Sequence, residues 1–277
     1  MFTYIDNLDD LSLLNSELEQ KPYIGLDTEF RRTTKDNMQL GLLQINDNDE
    51  IYLVDTISIR DPEDQCGFLF LDSVTKIFHS CKEDIEAIFS WTGKKMVNLF
   101  DTQIAEALLN GHHSIGYQTL VQEKLGIRLD KKETRSNWIR RPLTDSQLNY
   151  AVSDVEFLIH LYLEQKEELL KSNKLKWQEQ EIEFLITSTI SQNNYFGDIP
   201  SKLSKEEEHN LLNKFNDVVQ YISEKEQINP TLFFSKKNQK EFIRLVLYKN
   251  KAFALSSITE WRKNLIKESL DQLIETE

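Results

Sequence analysis

At 277 residues the chain has room for one large domain or two ordinary ones, and 39% hydrophobic with 29% charged residues suits a water-soluble globular protein. No stretch stays apolar and uncharged for the ~18 residues of a membrane span, and Met1-Phe2-Thr3-Tyr4-Ile5-Asp6 lacks the basic start and apolar core of a secretory signal. Cys66 and Cys81 are too few for a disulfide framework, so a cytoplasmic, reducing setting is expected, with no membrane partner.

In chain order, residues 2–5 read as a short strand, and residues 8–20 as a helix capped by Asn7. Apolar runs at 23–30, 39–45 and 51–54 suit neighbouring strands, with a turn at 46–49. Residues 76–79 read as a short buried strand and 83–91 as a helix. Asp101 is expected to cap a helix through Leu109, and a further helix runs from Tyr117 to a stop at Gly126. Thr144 is expected to start one long helix reaching about Leu170. Strands followed by interleaved helices give an α/β fold with a mixed sheet over residues 1–170. Residues 171–203 read as a helix and linker, the linker at 193–200. Residues 204–277 are nearly all helix, opened by the capping box Ser204-Lys205-Glu206-Glu207 and punctuated into three further short helices at Asn229-Pro230, Lys249-Asn250 and Ser256-Ser257.

The net charge of −13 is unevenly spread. Residues 1–100 carry 9 basic and 19 acidic side chains, whereas 124–141 and 225–251 each carry 7 basic against 2 acidic. Two local basic stretches on an acidic protein are compatible with holding a polyanion.

The chemistry is carried by spacing. Asp27 and Glu29, two apart in Leu26-Asp27-Thr28-Glu29-Phe30, share a strand face, and Tyr150 and Asp154, four apart, share a helix face. Asp84 opens a helical segment. Carboxylates that converge repel one another unless cations lie between them, and hard divalent cations prefer oxygen ligands. Two such ions ~3.5–4 Å apart can activate a water and stabilise the attacking and leaving oxygens of a phosphodiester. Asp27 is expected to bridge both, Glu29 and Asp154 to complete one shell, Asp84 to serve the other, and Tyr150 to orient the water.

At these residues the chain resembles the tyrosine branch of the DEDD 3′→5′ exonuclease family, the branch that includes bacterial ribonuclease D. The similar stretches, in order, are Leu26-Asp27-Thr28-Glu29-Phe30, Gln39-Leu40-Gly41-Leu42-Leu43-Gln44, His79 with Glu83-Asp84, Asp101-Thr102-Gln103, Leu129-Asp130-Lys131, Arg135 with Trp138, Arg141-Pro142-Leu143-Thr144, and Tyr150 with Asp154. The resemblance implies a ribonuclease-H-like fold and hydrolysis from a free 3′ end to nucleoside 5′-monophosphates. It further implies two Mg²⁺ or Mn²⁺ ions and RNA substrates such as tRNA precursors; a monomer is expected. It also implies substrate contacts at Gln39, Gln44, Lys131, Arg135, Trp138 and Arg141. The tail looks like the helical nucleic-acid-binding domain (HRDC-like) that ribonuclease D shares with RecQ-type helicases. Two departures are the loop Asp36-Asn37-Met38, which lacks the family's aromatic and proline, and Ser80-Cys81-Lys82 in place of small neutral residues.

Blander readings stand beside these. Asp101 suits an N-cap better than a fifth metal ligand. His79 reads as a hydrogen-bonded core histidine, and His112 and His113 as solvent-facing. Trp138 either stacks on a base or plugs the core, and Lys131, Arg135 and Arg141 suit backbone phosphates. Lys236-Lys237-Asn238-Gln239-Lys240 is either a solvated helix face or a binding patch. Rival functions are a DNA-directed exonuclease, a non-catalytic RNA-binding scaffold, and a partner-binding role for residues 201–277.

Overall fold

A computed structural model describes residues 2–34, 37–60, 62, 64–129, 136–191 and 199–275. Residues 193–198 of the linker expected at 193–200, the Asp36 departure and the basic side chains Lys131, Lys132 and Arg135 lie outside the described residues. The sheet has six strands: β1 (Thr3–Ile5), β2 (Tyr23–Thr34), β3 (Asn37–Asn46), β4 (Ile51–Asp55), β5 (Thr75–Phe78) and β6 (Leu99–Asp101). Their spatial order is β1-β4-β3-β2-β5-β6. The hairpins β2–β3 and β3–β4 are antiparallel, and β1–β4, β2–β5 and β5–β6 are parallel, so the sheet is mixed. β6 was not foreseen. Its three residues are too short for a period-2 signal, and Asp101 reads locally as a helix cap.

Alternation along β2 sorts its side chains onto two faces. Ile24 and Leu26 are fully buried beside Leu43 and Ile45 of β3, together with α1 (Leu8–Leu18) and α2 (Lys82–Thr92). Gly25, Asp27 and Glu29 face the opposite way, opposite Asn46, Gln44 and Leu42. That face is covered by α5 (Asp145–Val155) and α6 (Leu158–Lys171). Burying each Leu or Ile of these layers contributes about 1.5–3 kcal/mol.

The expected single helix after Thr144 is two helices. Asn46 Nδ2 donates to the carbonyls of Val155 and Glu156 at 3.0 and 3.2 Å, and the Phe157 amide donates to the Tyr117 hydroxyl at 3.0 Å. Those groups leave the helical ladder for partners over 100 and 40 residues away, respectively, and the axis breaks there. Gly41 solves another local problem: a Cβ on it would lie 2.5 Å from the Trp138 carbonyl, so only glycine lets the 136–142 loop sit against β3.

Between these layers run α3 (Thr102–Leu108), α4 (Tyr117–Leu125) and α7 (Leu175–Ile190), followed by the tail helices α8 (Lys205–Glu226), α9 (Pro230–Phe234), α10 (Lys236–Tyr248), α11 (Lys251–Ser256) and α12 (Glu260–Glu275). Four tail helices follow α8 where three were expected, because Ser235 ends α9 and caps α10 through the Asn238 amide. Ser204 and Glu207 form the expected capping box. One apolar core runs from Ile77, Phe100 and Leu158 through Phe215 and Phe242 to Trp261. Lys174 Nζ pins its two ends, donating to the Leu108 and Gln227 carbonyls at 2.9 and 2.8 Å. Among the described residues no helix is long and apolar enough to cross a membrane.

Candidate active site

β2 runs past the end of its neighbour β5, whose register with it stops at Gly25–Ile77. Beyond that point, among the described residues, β2 is paired on its β3 side alone, and Asp27 and Glu29 project from its face toward α5. The capping box of α5, Thr144 with Gln147, sets where its first turn begins and thereby the phase that presents Tyr150 and Asp154 to the strand. Carboxylate oxygens of Asp27, Glu29 and Asp154 lie within 4.8 Å of one another. The Tyr150 hydroxyl hydrogen-bonds Asp154. A cleft of about 290 Å³ opens on this group, lined also by His79, Gly116, Tyr117 and Gln118.

Asp84 sits in the first turn of α2, buried, outside that tight set. Thr28, whose side chain leaves the strand on the opposite face from its neighbours, donates its hydroxyl to Asp84 Oδ1 at 2.5 Å. Asp84 is nonetheless close enough that its charge, after burial, is the next cause of the raised Asp27 pKa.

The electrostatics are those of uncompensated negative charge. Burial first, then Asp84, Asp154 and Glu29, hold the Asp27 carboxyl well above the usual range. Burial and the charges of Asp154 and Asp84 push Glu29 up to about 9. Burial lifts Asp84 to about 7 against the pull of the Thr28 hydroxyl, and lifts Asp154 to about 7 against that of Tyr150. Burial and the surrounding carboxylates also raise Tyr150, which stays a protonated donor. Among the described residues no Lys or Arg contributes to holding Glu29 or Asp154 ionised. An all-oxygen donor set with no counter-charge of its own is the chemistry of a site for hard divalent cations.

The remaining candidates divide. Trp138 is 3% exposed, packed among Leu42, Leu53 and Ala151, so it plugs the core and presents no face to a base. Arg141 is corrected too. Its guanidinium holds Asp55 through Nε at 2.7 Å and Nη2 at 2.6 Å and donates to the Trp138 and Gly41 carbonyls, so it clamps the loop to the sheet and has no free donor edge for phosphate. Gln44 is fully buried opposite Asp27, with Nε2 3.5 Å from Asp27 Oδ2, which makes it a neighbour of the carboxylate, not of substrate. Gln39 is exposed on β3 beside Arg31.

Asp101 accepts from the amides of Ser80, Cys81, Gln103 and Ile104, ordering the turns into both α2 and α3. His79 is held by Thr102 Oγ1 and the Ile115 carbonyl, each at 2.8 Å, and burial lowers its pKa. His113 is half-buried, contrary to the solvent-facing expectation, because the tail packs over it. Sequence reasoning missed Tyr117 and Gln118. The available signal was Gly116 at the start of α4, an N-cap position without a capping side chain.

Residues 2–170 match the family model for 3′-5′ exonucleases. Ribonuclease D of Shewanella sp. (strain ANA-3) is 37% identical over 177 residues, covering 64% of this chain and 46% of that protein. The chain spans about half the length of the curated relatives it matches. The crystal structure of Escherichia coli RNase D, an exoribonuclease involved in structured RNA processing, superposes with a TM-score of 0.67 at 26% identity, covering all of this chain and 75% of that one. Brucella melitensis NrnC with bound Mg²⁺ shares the fold, with a TM-score of 0.58 at 24% identity over 73% of this chain and 96% of that one. The match over more than half its length places this chain in the 3′-5′ exonuclease family.

Proposed function

We propose that the protein is a ribonuclease D-type 3′→5′ exoribonuclease, hydrolysing RNA from a free 3′ hydroxyl and releasing nucleoside 5′-monophosphates, with tRNA precursors and other structured RNAs as substrates. The observation that carries this is the convergence of Asp27, Glu29 and Asp154 at one cleft, without an ion-pair partner among the described residues. Asp27, Glu29 and Asp154 would hold one Mg²⁺ or Mn²⁺, and Asp84, with Asp27, a second. Such ions lower the pKa of a bound water and offset charge developing on the phosphate. The protein's own part is positional. Tyr150, anchored on Asp154, offers a hydroxyl at the cleft to orient the attacking water. His79 and Tyr117, their rings 5.8 Å apart, wall the cleft and limit bulk water.

In this reading residues 1–170 do the chemistry, 171–203 connect, and 204–277 hold RNA. The tail offers suitable surface. Tyr248 and Phe253 are 45% and 50% exposed, and Lys202 and Lys249 lie over the Tyr248 ring, a pairing of aromatic faces and cations suited to single strands. Lys236, Lys237 and Lys240 are exposed on α10.

The test is a product assay on a 3′-labelled tRNA precursor with Mg²⁺, Mn²⁺ or chelator. Expected are metal-dependent release of 5′-monophosphates and complete inhibition by a blocked 3′ hydroxyl. Cleavage of a blocked 3′ end, or faster hydrolysis of matched DNA than RNA, overturns the proposal.

A further inference from the structure

Thr28 breaks the pattern of its layer. Ile24, Leu26 and Phe30 pack into the apolar layer shared with α1 and α2, and Leu43, opposite Thr28, belongs to the same layer. Threonine and valine fill much the same space in a strand, both stiffened by branching at Cβ. Packing alone would accept valine here, and only threonine brings a hydroxyl, which is costly to bury unpaired. Thr28 is 5% exposed, and its one proton goes to Oδ1 of Asp84, 6% exposed, at 2.5 Å.

Asp84 is held through its backbone and through its side chain. Just ahead of α2, the Asp101 carboxylate accepts from the amides of Ser80 and Cys81 at 3.1 and 2.8 Å. Ser80 has a φ of 66°, a conformation that L-residues rarely adopt, and the bond to Asp101 keeps the turn there. α2 then begins, with Asp84 as its third residue. With that backbone set, the freedom left to Asp84 is rotation of its side chain, and the Thr28 hydroxyl restrains it. The Asp84 charge is felt at both Asp27 and Glu29, although its oxygens lie outside the tight three-carboxylate set. Three consecutive residues of β2 thus divide the work. Asp27 and Glu29 offer their own carboxylates on one face, and Thr28 reaches from the other to a carboxylate carried by a helix.

We propose that Thr28 is a positioning residue for the reaction: its hydroxyl holds the Asp84 carboxylate in the orientation that receives the second divalent ion. The inference rests on the two-ion reading of the carboxylate cleft. Thr28 itself touches neither ion nor RNA and acts only through Asp84. Partners that orient a metal ligand in this way raise affinity by removing the orientations that cannot bind.

The experiment titrates Mn²⁺ into the full chain without RNA, reading free Mn²⁺ by electron paramagnetic resonance. Asp84→Asn defines the part of the binding that depends on this carboxylate. Thr28→Val keeps the shape and loses the donor, and is expected to weaken that part about tenfold or more. Thr28→Ser keeps the donor and loses a methyl, and is expected to bind as the wild type does. In the double variant, Thr28→Val should add nothing to Asp84→Asn. With RNA, the kcat of Thr28→Val should be low at limiting Mn²⁺ and recover as Mn²⁺ is raised, with KM for RNA unchanged. The opposite order, valine tolerated and serine impaired, would assign Thr28 to packing alone and overturn the proposal. So would wild-type binding by Thr28→Val, a valine loss that persists in full beside Asp84→Asn, or an Asp84→Asn protein that binds Mn²⁺ like the wild type. Absence of RNA hydrolysis by the wild-type protein would sink the exoribonuclease reading instead, while the Mn²⁺ titrations still decide the role of Thr28.

Discussion

The buried carboxylates of this molecule include two sets that are treated oppositely. In the helical part, Glu181 is bound by Arg262, and Glu208 by Arg244 through Nε at 2.5 Å. Each acid there is neutralised where it is buried, which is the usual way such a group is tolerated. On the sheet, Asp27, Glu29 and Asp154 face one another without a described basic partner, and their pKa values rise instead of falling. The first arrangement serves folding. The second costs stability and makes sense only where a ligand supplies the missing positive charge. The difference separates structural charge from functional charge within one chain, by the same physical criterion.

The largest effect should come from removing a member of the uncompensated set. Asp27→Ala is expected to lower hydrolysis about a thousandfold or more, as loss of a shared ion ligand removes several kcal/mol of transition-state stabilisation. RNA binding should stay measurable by filter retention. If a preparation free of host nucleases trims at the wild-type rate, the functional charge lies elsewhere. The converse change breaks a compensated pair. Arg262→Ala leaves Glu181 buried and unpaired, with side chains that are 12% and 8% exposed in the wild type, so a loss of about 3–5 kcal/mol is expected in chemical denaturation. A loss below about 1 kcal/mol would place this pair with surface ion pairs and remove one side of the contrast.

The compensated and uncompensated groups were not equally legible in the sequence. The period-2 spacing of Asp27 and Glu29 and the period-4 spacing of Tyr150 and Asp154 are local signals, and the structure brings Asp27, Glu29 and Asp154 together at one cleft. Caps at Asn7, Asp101 and Ser204 were also readable, because each depends on side chains within three residues. What escaped depends on distant partners. The break after Val155 is made by Asn46, over 100 residues away, and the roles of Arg141 and Trp138 are decided by Asp55 and by the close approach to Gly41. An arginine in a basic stretch looks the same in sequence whether it meets phosphate or is spent on a buried aspartate. Burial decides between them, and burial is a property of the fold.

Tyr150 tests whether the residue between the two kinds of charge acts on chemistry or on packing. Its ring contributes to the small core around Trp138, with ring centroids 6.1 Å apart, and its hydroxyl serves Asp154. Tyr150→Phe keeps the ring, so melting temperature and Mn²⁺ affinity should change little while kcat falls about a hundredfold. A matching loss of metal affinity would assign the hydroxyl to holding Asp154 in place, with no part in orienting water.

The smallest effect is the one most particular to uncompensated charge. In the unfolded chain these carboxyls ionise near pH ~4. In the fold Asp84 and Asp154 are raised to about 7 and Glu29 to about 9, so the folded state binds protons more tightly than the unfolded one across that window. Their contribution to stability is therefore full below pH ~4 and is lost as pH rises through the folded values. Metal-free protein should accordingly melt lower at pH 8 than the pH dependence of the rest of the molecule dictates. Asp27→Asn supplies that reference, because it deletes one of the mutually repelling charges and keeps the shape. In chelator at pH 8 the variant should melt about 2–4 °C above wild type, corresponding to ~1 kcal/mol, and the gap should close toward pH 5. Added Mg²⁺ should reverse the order, since it stabilises the wild type by mass action and finds an incomplete site in the variant. A variant that melts below wild type in chelator at every pH would mean that Asp27 is balanced in the free protein, as Glu181 is by Arg262.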